Sequence, residues 1–176
     1  MKQNTKKEMM SWVKAILFSL VLVIICRQFL FTPKEVFGES MEPTYETSDR
    51  VMVSKLSTIK RFDIITFHAP DADETYIKRV IGLPGDHVVM NNDVLSVNGK
   101  QYNEPYLADH KKGLPPGVNL TENFNIIVPH DQLFVLGDNR QVSKDSRIFG
   151  AIKENSVIGV VELRFFPLNK VSLTKK

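Results

Sequence analysis

The stretch Glu74–Ile81, with the sequence ETYIKRVI, alternates its side chains with a period of two. Such alternation is typical of a β-strand, in which successive side chains point to opposite faces. The next residues, Leu83–Asp86 (LPGD), predict a tight turn, because proline fixes φ and glycine accepts a positive φ. The stretch therefore predicts a β-strand that ends in a sharp turn.

Short strands are predicted on both sides of this one, and Asn98-Gly99 between two of them fits a hairpin turn. Residues 103–125 are rich in proline and glycine and predict an irregular excursion, a loop or small cap. The tail Pro167–Lys176 is expected to be frayed. The fold class is thus mainly β. The other predicted strands are Lys34–Phe37, Arg50–Ser54, Asp63–Phe67, His87–Met90, Val94–Val97, Lys100–Tyr102, Ile126–Val128, Gln132–Leu136 and Val157–Phe166.

One long apolar run precedes the strands, and residues 12–31 have the length of ~20 residues that a membrane helix needs. Lysines precede the run, which predicts a cytoplasmic segment at residues 1–11, a transmembrane anchor at 12–31 in the lipid bilayer, and an extracytoplasmic domain at 32–176. A cleaved secretory signal is an alternative, but the bulky residues 27–33 offer no small-x-small site. A buried soluble helix is the other alternative, which the flanking charges disfavour.

Composition excludes several classes of function. The chain of 176 residues carries a formal net charge of +3 without a long basic patch, so no nucleic acid partner is indicated. Its one cysteine, Cys26, cannot form a disulfide within the chain. The four histidines lack metal-ligand spacing, and no phosphate-binding glycine loop is present. Neither a metal nor an organic cofactor is expected.

Three parts of the sequence contain candidates for catalytic residues. Gly38–Thr44 (GESMEPT) presents Ser40 at a bend before a proline, although serines in turns usually bond nearby backbone. A serine needs a base, and no histidine lies in a triad context. Lys78 lies among apolar neighbours, where burial would lower its pKa and free a neutral amine; a solvated strand lysine is the alternative. Gly137–Gly150 (GDNRQVSKDSRIFG) is either an ordered ion-pair network or a wet surface turn.

Taken in order, Gly38–Thr44, Lys60–Phe67, Tyr76–Asp86 and Gly137–Gly150 resemble the successive motifs of bacterial type I signal peptidases, in their compact Gram-positive form with one anchor. The resemblance implies a coiled antiparallel β-sheet domain with a small cap. It also implies a membrane-bound serine endopeptidase, with its N-terminus in the cytoplasm, that removes signal peptides from exported precursor proteins after small residues.

The resemblance also implies roles for single residues. Ser40 would be the nucleophile and Lys78 the general base. Among the other positions, Ser143 would orient the lysine amine, Asp145 and Arg147 would form a supporting salt bridge, Asp138 and Arg140 would brace the same loop, Val36, Tyr76 and Ile77 would form substrate pocket walls, and Met41, with Pro43, would shape the bend and contact substrate.

Two positions depart from the family pattern. Gly38 stands where some relatives have a serine that helps to bind the oxyanion, so the second oxyanion donor is not identified. Phe62 stands where the family often has glycine, which affects a turn but none of the proposed chemistry.

Other functions remain open from the sequence. Ser57–Lys60 and Ser11–Lys14 both match the SxxK pattern of penicillin-binding proteins, without the SDN or KTG motifs that accompany it. An inactive membrane-tethered binding homologue would keep the fold without cutting. A specialised Ser-Lys peptidase, such as a self-cleaving repressor or a conjugation-system peptidase, is the third alternative.

Overall fold

The structure is a computed structural model that describes residues 2–174. A long helix, α1 (Lys2–Ile25), comes first, and a π-helical turn at Cys26–Leu30 leads from it into the strands. The stretch Lys6–Leu30 contains an 18-residue window with a mean hydropathy of 2.3, and no described residue of that window is buried against the rest of the protein. Within residues 2–174 it is the one helix that is long and apolar enough to cross a membrane.

The larger of two sheets has eight strands. They are β1 (Phe31–Glu35), β2 (Arg50–Ser54), β3 (Ile64–His68), β4 (Thr75–Gly82), β9 (Gln132–Leu136), β10 (Ile152–Lys153), β11 (Val157–Phe166) and β12 (Ser172–Leu173). Their order is β1-β2-β11-β3-β4-β9-β10, with β12 paired to the second half of β11. Each neighbouring pair is antiparallel.

The smaller sheet contains β5 (His87–Asn91), β6 (Val94–Val97), β7 (Lys100–Tyr102) and β8 (Phe124–Ile127), in the order β7-β6-β5-β8. It follows β4 through the turn that the LPGD sequence predicts, and its strands are also antiparallel. Two antiparallel sheets preceded by an apolar helix confirm the prediction of a mainly β fold.

Two strand edges stay open where a peptide could bind. β4 pairs with β3 from Thr75 to Arg79, but its pairing with β9 begins only at Arg79 and runs to Gly82, so the first half of β4 has no strand on that side. β1 pairs with β2 alone and forms one end of the sheet. Open edges carry unpaired backbone donors and acceptors, which an extended peptide can use.

A buried apolar cluster supports this part of the sheet. Each of its fully buried large side chains contributes about 1.5–3 kcal/mol to the free energy of folding. Because the cluster combines residues before and after Ser40 with residues of β2, β3 and β4, the bend and the strands are held together. Its members are Val36, Met41, Tyr45, Val51, Val53, Ile64, Ile77 and Val161.

Strand bounds near the bend differ from the prediction Lys34–Phe37. β1 begins at Phe31 and ends at Glu35, because its register is set by pairing with β2. Val36 instead exchanges two backbone hydrogen bonds with the turn at Ser48 and Asp49, at 2.9 and 2.8 Å. The apolar character of Val36 does not reveal that the chain stops pairing with β2 at Glu35 and bonds to the turn at Ser48 and Asp49 instead.

Two segments are more regular than the sequence indicates. Residues 103–125 hold a 3₁₀ turn at Pro105–Leu107 and the short helix α2 (Ala108–Lys112), so they are not wholly irregular. Proline is compatible with the first turn of a helix, and α2 buries none of its own residues, so no apolar period marks it. The prediction of a frayed tail is wrong for residues 168–173, which form a 3₁₀ turn and β12.

Candidate active site

Ser40 and Lys78 meet at the open edge of β4. The Ser40 bend is tightened by backbone hydrogen bonds from Glu42 N to Glu39 O at 3.1 Å and from Tyr45 N to Met41 O at 3.0 Å. Lys78 Nζ lies 2.7 Å from Ser40 Oγ and donates to the carbonyl oxygen of Ile77 at 3.0 Å. The structure therefore brings the two sequence-predicted dyad residues to hydrogen-bond distance.

The surroundings of Lys78 favour its neutral form. The side chain is only 4% exposed. Burial lowers the pKa of its amine from 10.5 to about 8, because leaving water penalises the charged form. The nearby carboxylates of Asp145 and Asp138 act against this and raise the same pKa. Near pH 8 a large fraction of the amines can accept a proton from Ser40.

A cleft of about 820 Å³ opens beside the pair. It is lined by residues 34–40 and 74–78, that is, by the chain leaving β1 and by the open half of β4. The predicted pocket residues Val36, Tyr76 and Ile77 all line it. Met41 does not: it is fully buried in the apolar cluster under the bend, so its predicted contact with substrate is wrong.

Gly137 is a site residue that the sequence analysis missed. A Cβ at this position would overlap Ser143 Oγ and the carbonyl oxygen of Ser40, so only glycine lets the polar loop pack this closely on the bend. Asn139 N also donates to Ser40 O at 3.1 Å. A glycine at the start of a polar loop is a signal of close packing. The sequence does not reveal its partner, because residue 40 lies far away in the chain.

Ser143 is buried beside this contact but does not make the predicted hydrogen bond to Lys78. Its hydroxyl has no partner among residues 2–174. Its backbone N donates to Asn139 O at 3.0 Å, which holds the side chain next to Gly137. The structure thus places Ser143 at the site without showing it bound to the amine.

Asp145 and Arg147 form the ion pair that the resemblance implies. Arg147 Nε and Nη2 each lie 2.8 Å from one Asp145 carboxylate oxygen. Asp145 also accepts from Gly137 N at 3.0 Å and caps the short helix α3 (Ser146–Phe149). Asp145 therefore fixes the polar loop to Gly137, which directly follows β9.

Asp138 is not paired with Arg140 but with Arg79, the neighbour of Lys78. Arg79 donates from Nε at 2.8 Å and Nη2 at 2.6 Å to the two carboxylate oxygens. Thr44, in the turn after the nucleophile, also donates its hydroxyl to Asp138. One buried carboxylate thus ties the lysine strand to the serine bend.

Phe62 contributes more than the sequence analysis expected. Its φ is +69°, in the left-handed region, which explains why glycine suits this position. Its carbonyl oxygen accepts from Arg79 Nη1 at 2.9 Å. The turn before β3 therefore helps to hold the arginine that braces Asp138.

The cap is linked to the site through Arg140. This side chain forms an ion pair with Glu104 and donates to Gly137 O at 3.0 Å and Thr121 Oγ1 at 3.1 Å. From α2, His110 Nε2 lies 2.9 Å from the Glu42 carbonyl oxygen, in the bend itself. The excursion between β7 and β8 is therefore part of the support of the site.

The alternative SxxK serine is engaged elsewhere. Ser57 donates its hydroxyl to Glu162 at 2.6 Å and lies 2.9 Å from Ser54 Oγ. The other match, Ser11–Lys14, lies in the exposed helix α1. Neither resembles a catalytic pair held in a cleft.

A serine hydroxyl beside a buried lysine amine, in a peptide-sized cleft of a mainly β domain, has the features of a serine hydrolase that uses lysine as its base. Residues 9–166 match the family model described as signal peptidase, peptidase S26. This match covers most of the chain, and the chain belongs to that family of peptidases.

Known relatives agree with this assignment. Signal peptidase I P of Bacillus subtilis subsp. natto is 45% identical over 181 residues, covering 99% of this chain and 98% of the relative. Signal peptidase IB of Staphylococcus aureus is 40% identical over 182 residues, covering 94% and 93%. The crystal structure of a signal peptidase I from Enterococcus faecalis V583 is 42% identical, with a TM-score of 0.58, and covers 59% of this chain and 97% of that one.

Proposed function

We propose that this protein removes N-terminal signal peptides from exported precursor proteins, with Ser40 as nucleophile and Lys78 as general base. The observation that carries the proposal is the 2.7 Å distance between Lys78 Nζ and Ser40 Oγ, at an amine buried enough to lose its proton near pH 8. The names of the relatives supply the substrate class.

The reaction follows from these two groups. Neutral Lys78 accepts the hydroxyl proton while Ser40 Oγ attacks the scissile carbonyl and an oxyanion forms. As that intermediate collapses, the ammonium gives its proton to the leaving amine and an ester to Ser40 remains. The amine then takes a proton from water, which attacks the ester, and returns the proton to Ser40 as the acid is released.

The developing oxyanion needs hydrogen-bond donors. The backbone N–H of Ser40 donates to no group within residues 2–174 and is available for this purpose. Gly38 offers no side chain, and its φ of +82° is a conformation that suits glycine. The side chain at residue 38 therefore does not supply the second donor to the oxyanion.

An extended peptide is proposed to bind as a strand beside Lys34–Gly38 or Glu74–Lys78, whose edges line the cleft. Val36, Tyr76 and Ile77 line the cleft and are proposed as the walls of small pockets that accept alanine-sized side chains. Ser143, whose buried hydroxyl is free within residues 2–174, is assigned to orient the lysine amine once substrate is bound.

Helix α1 supplies the location. Its exposed apolar surface is suited to a bilayer rather than to water, and the lysines in its N-terminal half favour a cytoplasmic N-terminus. The catalytic domain then follows on the outer side of the cell membrane, where exported precursors emerge.

Cleavage of a purified precursor by the full chain in detergent micelles tests the proposal. With alanine one and three residues before the cut, a single product with the mass of the mature protein is expected. Leucine at the residue before the cut should lower kcat/KM by about 10–200-fold, because extra methylenes overfill a small pocket. Equal cleavage of both precursors would contradict the pocket assignment. Binding of the precursor without any cleavage would instead favour an inactive binding homologue.

A further inference from the structure

The last described residues dock against the turn that follows the catalytic bend. We call residues 167–174 the C-terminal strap and residues 44–49 the docking turn. The hydroxyl oxygens of Tyr45 in the docking turn and Thr174 in the strap lie 2.7 Å apart and share a hydrogen bond. An ion pair of 2.8 Å joins Lys170 of the strap to Glu46 of the docking turn. The strap thus holds the docking turn at two separate points.

Arg164 of β11 lies between the two segments and binds both. On the docking turn, its Nη1 donates to Thr44 O at 3.1 Å and to Asp49 Oδ2 at 2.9 Å. On the strap, its Nε donates to Lys170 O at 2.9 Å and its Nη2 to Ser172 Oγ at 3.3 Å. A planar guanidinium can serve four acceptors at fixed angles, which a lysine ammonium cannot do.

The docking turn is continuous with the bend that carries the nucleophile. Tyr45 N bonds to Met41 O, one residue after Ser40, and the buried Tyr45 ring packs in the same apolar cluster as Met41. On its other side, the docking turn reaches Asp138 through the Thr44 hydroxyl, and Asp138 is held by the arginine next to Lys78. A displacement of this turn therefore changes the position of Ser40 relative to Lys78.

We propose that the C-terminal strap positions Ser40 against Lys78, with Tyr45, Thr174 and Arg164 as positioning residues. The inference rests on the proposed function, because the effect is measured as precursor cleavage. None of the three residues lines the substrate cleft. Their loss is therefore expected to act on kcat, through the geometry of the dyad, much more than on KM.

Removal of the shared hydrogen bond tests this role. Tyr45→Phe and Thr174→Val each delete one hydroxyl and are each expected to lower kcat about five- to tenfold, with KM changed less than about twofold. The double variant should be no slower than the slower single variant, because both changes remove the same bond. Thr174→Ser keeps a hydroxyl and should retain wild-type kcat.

Arg164→Lys forms the second arm and is expected to lower kcat about tenfold, because the four-acceptor contact is lost while the charge remains. Arg50→Lys is its matched control. Arg50 lies on the neighbouring strand β2, is largely exposed and sits 3.7 Å from Glu35, so the same exchange should leave kcat unchanged.

The active sites of each variant are counted by labelling Ser40 to completion with a serine-directed acylating reagent, well below the unfolding temperature. Turnover is then expressed per labelled serine, so a loss of folded protein does not count as a loss of rate. A wild-type rate per labelled serine in Thr174→Val and Arg164→Lys would overturn the positioning role. If the wild-type chain itself leaves the precursor intact, the proposed function fails, and this inference fails with it.

Discussion

Replacement of Lys78 by methionine is expected to lower kcat for precursor cleavage by about 10⁴-fold or more, because the serine loses its proposed base. Methionine keeps a similar unbranched shape in a site that is almost fully buried, so the strand and the bend should remain in place. Steady-state cleavage of the precursor, with folded protein quantified for each variant, measures the loss.

The matched control is Lys144→Met, the same substitution in the same cleft. Lys144 lines the cleft but is largely exposed and paired with Asp71, so its loss should change kcat only a few-fold. Ser40→Ala should be as inactive as Lys78→Met, and the double variant no worse than either, because the two groups act as one unit. A Lys78→Met enzyme within tenfold of wild type would contradict the dyad.

Replacement of Asp138 by asparagine is expected to give the largest loss of stability, about 3–5 kcal/mol, because Arg79 would remain buried without its counter-charge. The two side chains are 2% and 0% exposed, so water cannot replace the lost partner. For a chain of this size the unfolding midpoint should fall by on the order of 10 °C. Activity should fall as well, since asparagine keeps one acceptor oxygen in place of the two that Thr44 and Arg79 now share between them.

Thermal unfolding followed by circular dichroism measures this loss, with Asp71→Asn as the control. Asp71 also pairs with a basic residue, Lys144, but at the surface, so its midpoint should stay close to that of the wild type. Equal midpoints for Asp138→Asn and the wild type would mean that the buried pair contributes little to folding.

Much of the fold follows from local sequence patterns. The strand that contains Lys78 and the turn after it carry period-two and turn signals that need no tertiary information. The long strand Val157–Phe166 is likewise predicted from the sequence. The same is true of Ser40 and Lys78 as candidates, since a bend and an apolar strand are local properties. The 2.7 Å distance between Lys78 Nζ and Ser40 Oγ cannot be predicted locally, because it depends on how β1, β2 and β4 are ordered in the sheet.

The contacts that the sequence does not predict depend on long-range partners. The resemblance implies only that Asp138 and Arg140 brace the same loop. The pairing of Asp138 with Arg79, 59 positions away in the chain, depends on the sheet that brings them together. The resemblance implies that Met41 shapes the bend and contacts substrate, but the bend turns its side chain into the core. The tail lacks apolar periodicity and is held instead by backbone pairing and by Arg164.

Catalysis by the proposed dyad depends on one amine that is neutral at a pH where ordinary lysines are charged. A nuclear magnetic resonance titration of the Lys78 side chain, in full-length protein with labelled lysine and assigned by its absence in Lys78→Met, measures this directly. The amine should be charged below and neutral above a midpoint of about 8. A midpoint near 10.5, the ordinary lysine pKa, would contradict the assignment of Lys78 as the base.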